Sequence, residues 1–164
     1  MIFFALLACF GSSEEPTVET ERVSRPDVVL VTLDTTRADR LGCYGYEKGD
    51  TPVIDRLCTS GRRYDRAYSP APLTIPSHAA MFTGIHPARL GIRDNGDGKL
   101  EPDALTLAEI LKQEGYQTAG AVTAFVTTRT WGFAQGFDAF FDRIERTQQD
   151  SIWQSERRGG EALE

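Results

Sequence analysis

A near-continuous apolar run, Val28-Val29-Leu30-Val31-Thr32-Leu33, ends on the carboxylate of Asp34. The run is too short for a globular helix. It is rich in β-branched residues and shows no polar alternation, the pattern of a strand buried on both faces of a parallel sheet. Pro26-Asp27 opens it, and Val29, Leu30, Val31 and Leu33 are predicted core residues. In open α/β sheets, ligand sites lie outside the carboxyl ends of the strands. That rule singles out Asp34. Further along comes Pro72-Leu73-Thr74-Ile75-Pro76-Ser77-His78, which reads as a loop placing a hydroxyl at a helix N-terminus. A carboxylate and a hydroxyl meeting at the strand ends suit a metal-assisted site for an anionic ester.

The remaining elements alternate. Thr51 caps a predicted helix over residues 51–58, with Pro52 in its first turn, Val53, Ile54, Leu57 and Cys58 on one face, and Gly61 as terminator. Residues 63–68 read as a strand and residues 76–82 as a short helix stopped at Gly84. Thr106-Leu107-Ala108-Glu109 is a capping box for a helix that buries Leu107, Ile110 and Leu111 and ends at Gly115. Residues 118–122 read as another buried strand, with Ala121 and Val122 in the core. Strand and helix in alternation predict an α/β domain, a three-layer sandwich around a largely parallel sheet, of which this chain carries an incomplete part.

The chain has 164 residues and a net charge of −6, with 40% hydrophobic and 26% charged residues. That length is enough for one domain. The acidic balance, with no basic run, argues against nucleic-acid binding. It leaves room for an anionic ester substrate, since a local site can oppose the global charge. Residues 1–10 are almost wholly apolar. They are too few to span a bilayer, which takes about 20 residues, and are closer to the core of an export signal. Leu6-Leu7-Ala8-Cys9 resembles the lipobox of bacterial lipoproteins. The expectation is export and a membrane anchor on lipidated Cys9, which places the protein in the cell envelope or periplasm. Ordinary secretion and a buried N-terminus are the alternatives. The division is residues 1–25 as signal and polar tether, 26–142 as the domain, and 143–164 as a charged tail. Cys43 and Cys58 either pair in an oxidising compartment or sit apart as small buried residues.

A hydroxyl becomes a useful nucleophile when its proton is removed or a metal lowers its pKa. Thr74 gains from a divalent cation (calcium, manganese or zinc) held by Asp34 and Thr74. It also gains from the helix start, whose dipole and free N–H groups suit sulfate or phosphate oxygens. Ser77 and His78 lie in the first turn and are candidates for the same anion. Arg37 either holds a substrate oxygen or orients Asp34, or lies on the surface. The plainer readings are Thr74 as a helix cap, His78 as a surface residue, and Asp34 as a residue that commonly ends strands. Thr35, Thr36, Asp39 and His86 have no convincing spacing as further metal ligands.

Asp34-Thr35-Thr36-Arg37-Ala38-Asp39-Arg40-Leu41-Gly42-Cys43-Tyr44-Gly45 resembles the first motif of the sulfatases, within the alkaline phosphatase superfamily. Residues 51–57 resemble the family's next helix. Thr74-Ile75-Pro76-Ser77-His78-Ala79-Ala80-Met81-Phe82-Thr83-Gly84 aligns with its Cys/Ser-x-Pro-Ser-Arg…Thr-Gly signature. Residues 107–118 resemble a later helix-and-strand stretch, and Gly136-Phe137-Asp138 a later turn. The resemblance covers about residues 26–142.

The resemblance implies an alkaline phosphatase-like fold, Asp34 as a divalent-metal ligand and Thr74 at the nucleophile position. Three departures accompany it. Thr74 stands where the family converts Cys or Ser to formylglycine, and threonine cannot undergo that conversion. His78 replaces the signature arginine. Val122-Thr123-Ala124-Phe125 stands where many members have Gly-Lys-Trp-His. Threonine is the direct nucleophile in related phosphodiesterases and phosphotransferases. The expected activity is therefore metal-dependent hydrolysis of sulfuric or phosphoric esters. The alternative is a sulfatase-like module without catalysis, or a fragment inactive by itself.

Overall fold

The computed structural model describes residues 25–144. Cys9, the tether as far as residue 24, and residues 145–164 lie outside the described residues. The described part divides between Leu33 and Asp34 into two units.

In the first unit, residues 28–33 adopt no regular secondary structure and are not paired as a strand. Val29 is 82% exposed and Val31 72%, and Val28, Leu30 and Leu33 are exposed as well. The predicted core strand is therefore not core here. The side chains of such a segment become buried only when it sits inside a sheet whose two faces are covered by other layers. Among the described residues, the one sheet pairs two other strands with each other.

The second unit begins with 3₁₀ turns at Ala38–Arg40 and Gly42–Tyr44. Helix α1 follows, Pro52–Ser60. Thr51 precedes α1 but does not cap it through its side chain. Its hydroxyl donates to Asp55 Oδ1 at 3.1 Å and accepts from the Gly42 N–H at 3.0 Å. Asp55 Oδ1 also accepts from the Cys43 N–H at 2.7 Å. The second 3₁₀ turn is thus tied to α1, and a Cys43–Cys58 disulfide closes the same junction. Of the two cysteine readings, the paired one holds. Val53 and Leu57 remain exposed, so the expected apolar face of α1 is only partly covered. Residues 63–68 form no strand and are exposed.

Helix α2, Thr74–Thr83, is the centre of the packing. Ile75 and Ala79 are fully buried, and with Ile92, Leu100, Ala104 and Phe133 they make the core. Helix α3, Leu107–Gln113, starts with the predicted capping box. Thr106 Oγ1 accepts from the Glu109 N–H at 3.2 Å, and Glu109 Oε2 accepts from the Thr106 N–H at 2.8 Å. The core residue of α3 is Ala108; Ile110 is exposed, and Leu107 and Leu111 are half-buried.

Strands β1, Ala119–Ala121, and β2, Ala139–Phe141, pair in parallel, with Gly120 opposite Phe140. Ala121 is exposed and Val122 half-buried, so neither is core. The crossover between the strands contains 3₁₀ turns at Phe125–Thr127 and Arg129–Trp131. The α/β composition and the parallel sheet agree with the expected fold class. Among the described residues no helix is long and apolar enough to cross a membrane.

Candidate active site

Thr74 is the first residue of α2, and extended Leu73 holds the cap position. The Thr74 hydroxyl is therefore not a helix cap. It donates to Asp34 Oδ2 at 3.0 Å. The other carboxylate oxygen, Oδ1, accepts from the Thr35 N–H at 2.9 Å, and Thr36 Oγ1 donates to the Asp34 carbonyl at 3.3 Å. Thr35 has φ of 54°, an uncommon conformation for a β-branched residue. This turn, rather than a paired strand, presents the Asp34 carboxylate.

The start of α2 offers fewer free amides than a generic helix N-terminus. The Ile75 N–H donates to Asn95 Oδ1 at 2.9 Å. Pro76 has no N–H, and the Ser77 N–H is bonded to the Leu73 carbonyl at 3.1 Å. The helix dipole remains, because it depends on peptide alignment rather than on any single free group. Asn95 was not among the residues singled out from the sequence. Its signal was the Asn95-Gly96 dipeptide, a turn former, and Gly96 does adopt φ of 104°. The amide orientation of Asn95 is fixed by chemistry: an N–H donor must face its oxygen. Its NH₂ group is thereby directed elsewhere.

Ser77 and His78 turn toward Thr74 itself. Ser77 Oγ donates to the Thr74 carbonyl at 3.1 Å, and His78 Nδ1 lies 2.9 Å from the same oxygen. His78 is 6% exposed, so it is not a surface residue. Its ring stands edge-on to Phe133, with centroids 6.2 Å apart. Arg37 is not brought to Asp34. It forms a two-pronged pair with Asp39, at 2.9 and 2.6 Å, on the exposed surface. The hydrogen bond and charge of Asp39 raise the pKa of the guanidinium, and Arg37 lowers that of Asp39. His86 Nδ1 accepts from the Ala88 N–H at 3.3 Å and so serves the turn Pro87–Arg89.

For a divalent cation, Asp34 Oδ2 and Thr74 Oγ1 stand close together, 3.0 Å apart. Among the described residues no group of three or more His, Cys, Asp or Glu side chains is arranged to hold a metal. The pair fits one side of an oxygen-coordinated site, since hard cations take carboxylate and neutral oxygen donors.

The profile of the sulfatase family matches residues 26–161. Human steryl-sulfatase is 36% identical over 111 residues, covering 62% of this chain and 19% of its own length. Human arylsulfatase A is 37% identical over 101 residues, 58% of this chain and 20% of its own. The N-acetylglucosamine-6-O-sulfatase of Bacteroides thetaiotaomicron is 33% identical over 113 residues, 69% of this chain and 20% of its own. Thus the chain spans about one fifth of the length of these curated relatives. Among solved structures, one bound to its substrate D-glucosamine-2-N,6-O-disulfate superposes with a TM-score of 0.56 at 32% identity. It matches 63% of this chain and 20% of its own. A 2-O glycosaminoglycan sulfatase gives a TM-score of 0.56 at 25% identity, with 68% and 24% covered. With its profile matched across most of its length and its α/β fold shared with these structures, the chain belongs to the sulfatase family.

Proposed function

We propose that this chain carries the nucleophile half of a metal-dependent hydrolase of sulfuric or phosphoric esters, with Thr74 attacking directly. The observation that carries this reading is the Thr74 Oγ1 to Asp34 Oδ2 contact of 3.0 Å. Asp34 and Thr74 would hold the cation (calcium, manganese or zinc), which when bound lowers the pKa of a coordinated hydroxyl and polarises an ester oxygen. The start of α2 supplies a positive dipole end beside Thr74. The NH₂ of Asn95, oriented by its bond to Ile75, is a donor for a non-bridging oxygen of the ester. His78 and Ser77 act on Thr74 rather than on the anion. Arg37, paired with Asp39, would reach a substrate oxygen only by exchanging that partner. The relatives named as sulfatases support a sulfate ester as substrate; the threonine, which cannot become formylglycine, favours phosphate.

A second reading, a sulfatase-like module without catalysis, draws support from the two-oxygen donor set among the described residues. Aryl sulfate, phosphate monoester and phosphodiester assays with each of the three metals separate the two. Hydrolysis that Thr74→Ala lowers on the order of a thousandfold, and that Thr74→Ser largely keeps, supports the enzyme. No turnover with any ester or metal supports the module.

The Cys43–Cys58 disulfide supports an oxidising compartment. It accords with export and with a lipid anchor on Cys9 in the cell envelope. Loss of acyl labelling and of membrane association in Cys9→Ser is the expected result; unchanged labelling would remove the anchor.

A further inference from the structure

We propose that His78 is a positioning residue that holds the main chain of Thr74 through Nδ1, so that this nitrogen does not take the proton of the Thr74 hydroxyl. The inference rests on the reading of Thr74 as nucleophile. Thr74 stands at the junction between extended Leu73 and α2, so its own N–H has no partner within the helix. Its carbonyl is the end of the residue that the helix holds. His78 Nδ1, at 2.9 Å, and Ser77 Oγ, at 3.1 Å, both bond to that carbonyl. A carbonyl oxygen carries no proton, so Nδ1 must be the protonated ring nitrogen, in the neutral ring and in the imidazolium alike. The ring is 6% exposed and packed edge-on against Phe133, which restricts its swing. Holding the carbonyl fixes the direction of the Thr74 Cα–Cβ bond, and so keeps the hydroxyl on Asp34. The Thr74 hydroxyl donates to Asp34 instead, and Nδ1 faces the carbonyl, so Nδ1 is not the acceptor of the hydroxyl proton.

Three substitutions test the assignment. An Asn amide nitrogen can occupy the place of histidine Nδ1, a Gln amide nitrogen reaches the place of Nε2, and Phe keeps a ring without a donor. His78→Phe and His78→Gln are expected to lower kcat by roughly 10- to 100-fold, the scale of a displaced reacting group, with KM nearly unchanged. His78→Asn is expected to recover most of kcat and to keep the wild-type pH profile. Failure of His78→Asn to recover activity, or loss of a limb of its pH profile, would overturn the positioning role. So would full activity in a folded His78→Phe variant. Nitrogen-15 spectra of the imidazole give a readout independent of turnover. A proton on Nδ1 is expected, and a bare Nδ1 overturns the proposal even in a chain that hydrolyses nothing. Full hydrolysis by Thr74→Ala would remove the nucleophile reading instead, leaving the spectral result to be judged separately.

Discussion

Thr74 donates its hydroxyl hydrogen to Asp34 Oδ2 over 3.0 Å, although forty residues separate them in the chain. Asp34 lies on a turn and Thr74 at the start of the most deeply packed helix. One partner is thus held by the core and the other by local hydrogen bonds.

If the pair binds a divalent cation, Asp34→Asn weakens it. An amide oxygen can still accept the Thr74 hydroxyl but brings no negative charge to a hard cation. Calorimetric titration with manganese, calcium and zinc is expected to show affinity lower by on the order of tenfold or more in the variant. Equal affinity in both proteins would place the metal elsewhere.

Thr35 is the strained residue of the Asp34 turn, with φ of 54°. Such conformations cost about 1–3 kcal/mol. Asn tolerates this region better than a β-branched residue. Thr35→Asn is therefore expected to unfold at higher urea, by about 1 kcal/mol. A clear loss of stability would mean that the threonine side chain contributes more than its backbone conformation costs.

Asp138 links the beginnings of β1 and β2. Its Oδ2 accepts from the Thr118 N–H at 3.0 Å and from Thr118 Oγ1 at 3.1 Å, while Lys112 Nζ lies 2.5 Å from Oδ1. The Lys112 hydrogen bond first, and the Thr118 amide second, bring its pKa down to about 2. A carboxylate with a lowered folded pKa binds fewer protons in the folded than in the unfolded state. Its stabilisation is therefore present above the ordinary Asp value of about 4, and is lost as pH falls toward 2. Urea unfolding of the wild type is expected to weaken across that window, and Asp138→Asn to flatten this part of the curve. Parallel curves for the two proteins would show that other carboxylates carry the acid sensitivity.

Gly132 has φ of 86°, and a Cβ there would run into the Leu100 carbonyl oxygen and lie 2.9 Å from Leu100 Cβ. Leu100 is core, and its N–H bonds the Trp131 carbonyl at 3.0 Å. Gly132→Ala combines a strained backbone with a clash against main chain. A loss of about 2 kcal/mol or more is expected from thermal or urea unfolding. A neutral result would mean that the Leu100 segment shifts freely.

The sequence by itself determined the helix boundaries that near neighbours in the chain set through capping and backbone chemistry. The capping box of Thr106 and Glu109 was legible because both partners lie within one helical turn. The start of α1 at Pro52 and the stop of α2 at Gly84 were legible for the same reason. The strand-end position and the family motifs marked Asp34 and Thr74, and the alternation of strand and helix patterns predicted an α/β fold with a parallel sheet. Tertiary structure alone decided which apolar residues are buried and what the polar side chains face. Residues 28–33 have the composition of a core strand, yet burial requires neighbours that composition does not supply. Spacing could not show that His78 turns to a carbonyl, that Arg37 pairs with Asp39, or that Asn95 reaches Ile75. Each of those bonds depends on side-chain direction and on backbone turns that bring a donor within about 3 Å of its acceptor. That distance is set by the folded chain.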